Sequence, residues 1–445
     1  MKALATPLAA VLAVAAFGAG SVAADMCSTD AVPAATLLVP YFEADLANPD
    51  CVTTLFSINN ASADPALAHV TFWTDWSQPT IDFEIFLTGY DVVTVNVRDV
   101  FEGNLPITAD LQSDPGDSIS PAGDPAWDGS FQDCENFFPF YQNPLVTGAN
   151  LDRLVNGHLG RPVASNGGLC MGQSHDDELA RGYITIDNVT RCSLEFPGDA
   201  GYFGGPDPVV SNVNQLWGDW YIADPPNGAA FGESLVHIEA QDGFTDASTP
   251  SGYTFYGRYA LGGVDNREPL ATTHAVRYLN GGPFSGGTDL FVWRDSTTAD
   301  TAGGYACGTG PSWYPMNETE IVAFDESENA VQLCAPDGQV IISPPPPFED
   351  PVCFPLETQR VSVGEGNLAV PYEFGWLFLN MNLNDFGVTA DVDFGSFGTL
   401  AQSYVAAAHS ASGLYQVGMQ SVQLTHACED VDFIVGASGG GGIPE

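Results

Sequence analysis

His237 and Glu239 sit two residues apart in Leu235-Val-His-Ile-Glu-Ala240, a stretch whose alternation reads as a β-strand. Alternate side chains on a strand point the same way, so both could reach one metal ion or one substrate proton. Arg258, in Tyr253-Thr-Phe-Tyr-Gly-Arg-Tyr259, and Asp265, Arg267 and Glu268, in the turn Asp265-Asn-Arg-Glu268, would join them if these segments pair. An Arg among aromatic side chains can stack on a ring and fork to a carboxylate. The set is therefore a candidate ligand-binding site. It is also the inventory of a secreted glycan or peptide hydrolase centred on Glu239, His237 and an acid of 265–268. The structural alternative is a buried Arg–carboxylate network that keeps aromatic strands in register.

Trp217 and Trp220, in Trp217-Gly-Asp-Trp220-Tyr221, could form an aromatic platform for sugar rings, although paired aromatics more often pack in a core. Asn382, Asn384 and Asp385, followed by Asp391 and Asp393, supply oxygen ligands at short spacing, the chemistry Ca²⁺ prefers. They lack the Gly and terminal Glu of the helix-loop-helix calcium pattern. His175-Asp-Asp-Glu178 could ligate a metal or simply start a helix. Gly436-Ala-Ser-Gly-Gly440 matches the nucleophile-elbow pattern but sits in a glycine tail rather than a strand-to-helix turn. No His-Glu-x-x-His, phosphate-binding loop or dinucleotide fingerprint occurs. No complete catalytic motif is present, so a non-enzymatic role is the leading expectation.

The elements that must position these residues are strands. In Ile81-Asp-Phe-Glu-Ile-Phe-Leu87 apolar and acidic side chains alternate, as in a half-buried strand. Val52–Ile58, His69–Trp76, Val92–Val97, Tyr183–Asp187, Tyr253–Tyr259 and Thr288–Asp295 read the same way. Short strands between turn residues predict an all-β fold of antiparallel, sandwich-like domains with a loop-rich, disulfide-pinned insertion. One helix is expected near 150–159, capped by Asn150 and ended by Gly160 and Pro162. The expected division is a signal peptide at 1–24, an N-terminal β-sandwich region at 25–110, the insertion at 111–180 and a central β-domain at 181–343. A Pro-rich linker at 344–351, a C-terminal β-domain at 352–435 and a flexible tail at 436–445 complete it. Val39-Pro-Tyr-Phe42 and Val370-Pro-Tyr-Glu373 echo each other, a hint of duplication or of terminal segments pairing.

The chain carries 56 Asp and Glu against 11 Lys and Arg, a formal charge of −45, and its lone lysine is Lys2. Nucleic acid and anionic lipid both need basic patches and are excluded as partners. Such self-repulsion must be offset by salt, by bound divalent cations, or by spreading the carboxylates over a solvated surface. A composition with 44% hydrophobic residues is that of a globular protein rather than a disordered one. Lys2, the apolar run Leu8–Phe17 and Val22-Ala-Ala24 have the form of a cleaved secretory leader, and no later stretch has the length of a membrane span. The expected address is extracellular or cell-surface, with the periplasm as the other exported location. Export favours disulfides. Nine cysteines without a Cys-x-x-Cys leave connectivity open, the neighbour pairings being Cys27–Cys51, Cys307–Cys334 and Cys353–Cys428.

The segments 180–188, 253–259 and 265–271 resemble parts of a family of β-rich proteins secreted by Gram-negative bacteria. The resemblance implies export and carries no activity. The resulting expectation is a structural, adhesive or carbohydrate-binding protein, Ca²⁺-stabilised, whose partner is a carbohydrate, a cell-surface protein or a second copy of itself. A secreted hydrolase and a Ca²⁺-dependent surface-assembly subunit are the alternatives.

Overall fold

The computed structural model describes residues 27, 31–106, 134, 146–245, 253–260, 264–299, 303–334, 352–383, 400–412 and 414–426. The expected leader at 1–24, the linker at 344–351 and the tail at 436–445 lie outside the described residues, as do Asn384, Asp385, Asp391, Asp393 and Cys428.

The first part of the chain supplies β1 (Thr36–Asp45), β2 (Thr53–Asn60), β3 (Ala66–Trp73), β4 (Pro79–Leu87), β5 (Val92–Asn96), α1 (Val97–Phe101) and α2 (Gly148–His158). There follow β6 (Leu179–Asn188), β7 (Leu216–Trp217), β8 (Asp219–Asp224), β9 (Ala229–Ser234) and β10 (Val236–Ile238). The second part supplies β11 (Ala271–Leu279), β12 (Gly287–Arg294), β13 (Glu318–Asp325), β14 (Ala330–Leu333) and β15 (Thr358–Val363). It ends with β16 (Phe374–Leu383), β17 (Ser403–Ala411), β18 (Tyr415–Gln420) and β19 (Val422–His426).

The fold is all-β and antiparallel, as the period-two patterns predict. One sheet runs β10-β1-β6-β3-β4, and a second runs β5-β2-β8-β9 with β7 also on β2. The third runs β14-β13-β16-β11-β17-β12-β15, with β18 on β17 and β19 on β11. Its strands come from both sides of the Pro-rich run, so 344–351 does not separate two sheets. Likewise β6 to β10 belong with the N-terminal strands rather than with a central domain. Composition marks a break in the chain there, whereas strand pairing spans it. The echoing segments are not equivalent either: Val39-Pro-Tyr-Phe42 lies within β1, whereas residues 370–373 precede β16.

Strand alternation buries β12 and β17 on both sides. Phe291, Trp293, Tyr404 and Ala406 enter the large core with Phe42, Phe56 and Phe72. Leu290, Val292, Val405 and Ala407 enter a second core with Leu377 and Leu379. Each large side chain so buried contributes about 1.5–3 kcal/mol.

α2 lies where the sequence places a helix. It starts at Gly148, which takes a left-handed φ of +60°, with Thr147 rather than Asn150 at the N-cap. Gly157 permits the helix to press on β4, since a Cβ there would meet Thr80 Cγ2 at 3.1 Å. The expected strand Tyr253–Tyr259 is a run of turns instead. Gly257 N donates to the Thr254 carbonyl at 3.0 Å and Tyr259 N to that of Tyr256 at 2.8 Å, while the Asp265 carboxylate takes Tyr256 N at 2.7 Å. These local bonds occupy the donors a sheet would use.

Two of the three disulfides span longer stretches of chain than Cys27–Cys51 or Cys307–Cys334, and the third joins the consecutive cysteines Cys334 and Cys353 in place of Cys307–Cys334 and Cys353–Cys428. Cys134 joins Cys192, Cys170 joins Cys307, and Cys334 joins Cys353. Cys27 is disulfide-bonded and Cys51 is a free thiol, which rules out their pairing with each other. The Cys170–Cys307 bridge lies beside the isolated backbone pairing of Cys170 with Tyr305, a contact that proximity in the chain does not report.

Candidate functional site

The residues singled out by sequence fall into separate places. His237, on β10 at the edge of the first sheet, takes the Gly218 N–H on Nε2 at 3.3 Å, and burial holds its pKa below the ordinary value. Glu239 is buried, and its carbonyl accepts Glu268 N at 3.0 Å, so the 265–268 turn does reach this strand. Glu268 is also buried and takes the Cys27 N–H on Oε2 at 2.8 Å. Trp220 is fully buried against Phe231 and Phe291, with ring centroids at 5.1 and 5.9 Å, while Trp217 is 41% exposed. The two tryptophans therefore do not form one platform. Asn382 is buried, and its Oδ1 accepts Ala401 N at 2.9 Å.

Arg258 and Arg267 are built into the interior. Arg258 forks onto Glu357, with Nη2 to Oε2 at 3.0 Å and Nη1 to Oε1, and it lies 3.2 Å from Asp295 Oδ1. It also donates to Ser296 Oγ and the Tyr183 hydroxyl and stacks 4.7 Å over the Tyr259 ring. Burial pulls its pKa down, but Glu357 and the neighbouring groups hold it well above the ordinary value. Arg267 Nε donates to Thr36 and lies 3.6 Å from Asp187, with Asp265 at 3.8 Å from Nη1. Arg294 lies 3.8 Å from Glu318, and burial pulls its pKa down to about 10. These contacts correspond to the buried Arg–carboxylate alternative. A cation inside a fold needs such partners, because an unpaired buried charge is very costly.

A different group of residues faces open clefts. In β1 the register shifts between Val39 and Phe42, around Pro40, which has no N–H to give the ladder. Within this bulge the Tyr41 hydroxyl donates to Glu43 Oε2 at 2.9 Å. Burial raises the Tyr41 pKa well above its ordinary value, and Glu43 adds to the shift, so Tyr41 is a neutral donor. Thr358 at the start of β15 donates to the Pro40 carbonyl at 2.6 Å, which brings that edge strand against β1.

Arg360, next along the same face of β15, links the two halves. Its Nη1 donates to Glu43 Oε1 at 2.9 Å, and its Nη2 to Asp289 Oδ2 at 2.6 Å. Its guanidinium lies 5.7 Å over the Phe291 ring, its cross-strand partner on β12. Burial pulls the Arg360 pKa down, but Glu43 and Asp289 hold it above its ordinary value. Its side chain stays 37% exposed, and part of its five-donor fork remains uncommitted.

Glu43 and Arg360 line two clefts at once. The larger, about 360 Å³, is walled by Asp289, Phe291, Asn227, Gln416 and the exposed Tyr415. The smaller, about 250 Å³, holds Tyr41, Arg181, His175 and Gln359. Arg181 is clamped by Asp177 at 2.6 Å, and His175 lies 3.1 Å from Asp75. None of the earlier candidates His237, Glu239, Arg258, Asp265, Arg267, Glu268, Trp217 or Trp220 lines either cleft. Sequence reasoning missed Glu43 and Arg360. The available signal was a lone acid continuing the apolar run Leu37–Phe42 and a lone base inside a strand.

Compared with protein-family models, curated proteins and solved structures, the chain matches none.

Proposed function

We propose that this is an exported carbohydrate-binding protein whose ligand occupies the paired clefts on either side of Glu43 and Arg360. The carrying observation is the composition of that wall: an Arg held between two carboxylates, with an exposed tyrosine and side-chain amides along the larger cleft. Sugar hydroxyls both donate and accept. Carboxylates and amides can take their protons, a guanidinium can donate to their oxygens, and an aromatic ring can cover an apolar sugar face. A small set of placed polar groups around a partly apolar cleft is the usual form of a small-molecule site. The bridged cysteines support an oxidising, extracytoplasmic location, and no described helix is long and apolar enough to cross a membrane.

Glycan-array screening of the disulfide-intact chain, followed by calorimetry on the hits, tests the reading. Saccharide binding that Arg360→Ala abolishes supports it. Binding to no saccharide, or binding indifferent to that change, refutes it. The second reading is glycan hydrolysis, which is favoured by Glu43 and Asp289 facing one cleft. Release of shorter saccharides from a bound hit would establish it.

A further inference from the structure

The first sheet has one apolar face and one unusually polar face. His69 and Thr71 alternate on β3, opposite Glu84 and Asp82 on β4, with Asp187 and Thr185 beside them on β6. Most of this polar face is satisfied. Asp187 takes the Tyr202 and Tyr256 hydroxyls at 2.6 and 2.9 Å, and Thr185 Oγ1 takes Trp73 Nε1 at 2.9 Å. Glu84 Oε1 takes Ser193 N at 2.7 Å and lies 3.3 Å from His69 Nδ1.

His69 Nε2, Thr71 Oγ1 and Asp82 Oδ2 differ. All three are buried and have no hydrogen-bond partner among the described residues. His69 Nε2 and Asp82 Oδ2 face each other across 4.0 Å, and Thr71 is the direct cross-strand partner of Asp82. Leaving such groups dry and unpaired is costly, so something belongs between them.

We propose that His69 Nε2, Asp82 Oδ2 and Thr71 Oγ1 form a buried site for a divalent first-row transition metal, with zinc as its probe. Glu84 is placed to accept the Nδ1 proton of His69. Metal uptake at Nε2 would displace any proton held between it and Asp82. A carboxylate behind a ligating histidine is the recurrent support of such sites. Zinc–nitrogen and zinc–oxygen bonds are each about 2.0–2.2 Å, so the two atoms, now 4.0 Å apart, would close by roughly 0.5 Å around a tetrahedral ion. Imidazole with carboxylate selects this class of metal, whereas Ca²⁺ takes six to eight oxygens. Burial raises the Asp82 pKa to about 6, with His69 and Arg153 opposing the shift and Glu84 adding to it. An ion here would pin β3 to β4 beneath the segment anchored by Ser193.

The test uses the full disulfide-intact chain after chelator treatment. Zinc titration should find one site per chain well above the weak background of surface carboxylates. Cobalt(II) in its place should give the visible ligand-field band of a low-symmetry nitrogen–oxygen site. Asp82→Asn, nearly isosteric, should abolish both signals. Glu84→Gln keeps an acceptor for Ser193 and should weaken zinc binding by about 10–100-fold. Zinc uptake identical in wild type and Asp82→Asn would overturn the proposal. So would a wild-type cobalt spectrum no different from that of the aqueous ion. The space would then belong to a water molecule or to a second proton on His69. The cobalt measurement needs no variant and stands even if a substitution prevents folding.

Discussion

Arg360 and Glu43 are 317 residues apart in the chain and meet at 2.9 Å. The contact joins the last strand in the order of the nine-stranded sheet to β1 of the first sheet, and it divides two clefts. In a chain with 11 Lys and Arg, each arginine position matters. Most of the others are committed to interior carboxylates, to backbone carbonyls, as Arg98 is, or to local pairs such as Arg161–Glu178. Arg360 is paired and still presents donors to open space.

The Arg258–Glu357 fork is structural. Arg258→Met leaves Glu357 and Asp295 buried without their cation, and stability should fall by about 3–5 kcal/mol. Arg258→Lys should recover little, because an ammonium cannot reproduce the two-pronged contact. Equilibrium denaturation in urea measures both. A loss below about 1 kcal/mol for Arg258→Met would mean that the network is solvated rather than buried.

His158 makes stability depend on pH. It is buried with Nδ1 on the Arg181 carbonyl at 2.7 Å and Nε2 on Thr80 Oγ1 at 2.8 Å. Burial pushes its pKa down to about 4 from 6.5. The unfolded chain therefore takes up the proton first as pH falls. The stabilising contribution is full above pH 6.5 and is lost progressively as pH falls toward 4. His158→Asn removes the titration. The stability advantage of wild type over this variant should shrink by about 3 kcal/mol across that window. Urea melts at several pH values give the comparison, which also cancels the opposing titration of Asp82.

Disulfide connectivity is directly measurable. Digestion at acidic residues without reduction should give peptides joined through Cys134–Cys192, Cys170–Cys307 and Cys334–Cys353. Cys51 should take an alkylating reagent in the native protein. It should react slowly at neutral pH, since partial burial and Asp45 raise its pKa. A peptide joining Cys307 to Cys334 would contradict the arrangement. Replacing Cys170 and Cys307 together with serine should cost about 2–5 kcal/mol.

What the sequence disclosed follows from range. The alternation in Ile81–Leu87 and Thr288–Asp295 is local, and β4 and β12 lie where it places them. The helix near 150 is likewise local, and so is its end at Gly160. Tyr253–Tyr259 has strand-like residues, but the Asp265 carboxylate captures its backbone and turns it. That capture is a tertiary event. Pairing of β12 with β15 and β17, which mixes both sides of the Pro-rich run, leaves no mark in any short window. The same holds for the clefts. His237 and Glu239 drew attention because they are neighbours, whereas Glu43, Asp289 and Arg360 come from three distant strands.

Saccharide binding by Tyr415→Ala and Trp217→Ala, compared with wild type by calorimetry, bears most directly on the clefts. Both side chains are exposed, at 44% and 41%, so neither change should disturb the core. Tyr415 lines the larger cleft and Trp217 does not. Tyr415→Ala should weaken binding by about tenfold or more, the worth of one aromatic contact of ~1.5 kcal/mol, and Trp217→Ala should leave it unchanged. Loss of binding in Trp217→Ala with full binding in Tyr415→Ala would contradict the assignment and move the ligand to the β7 surface.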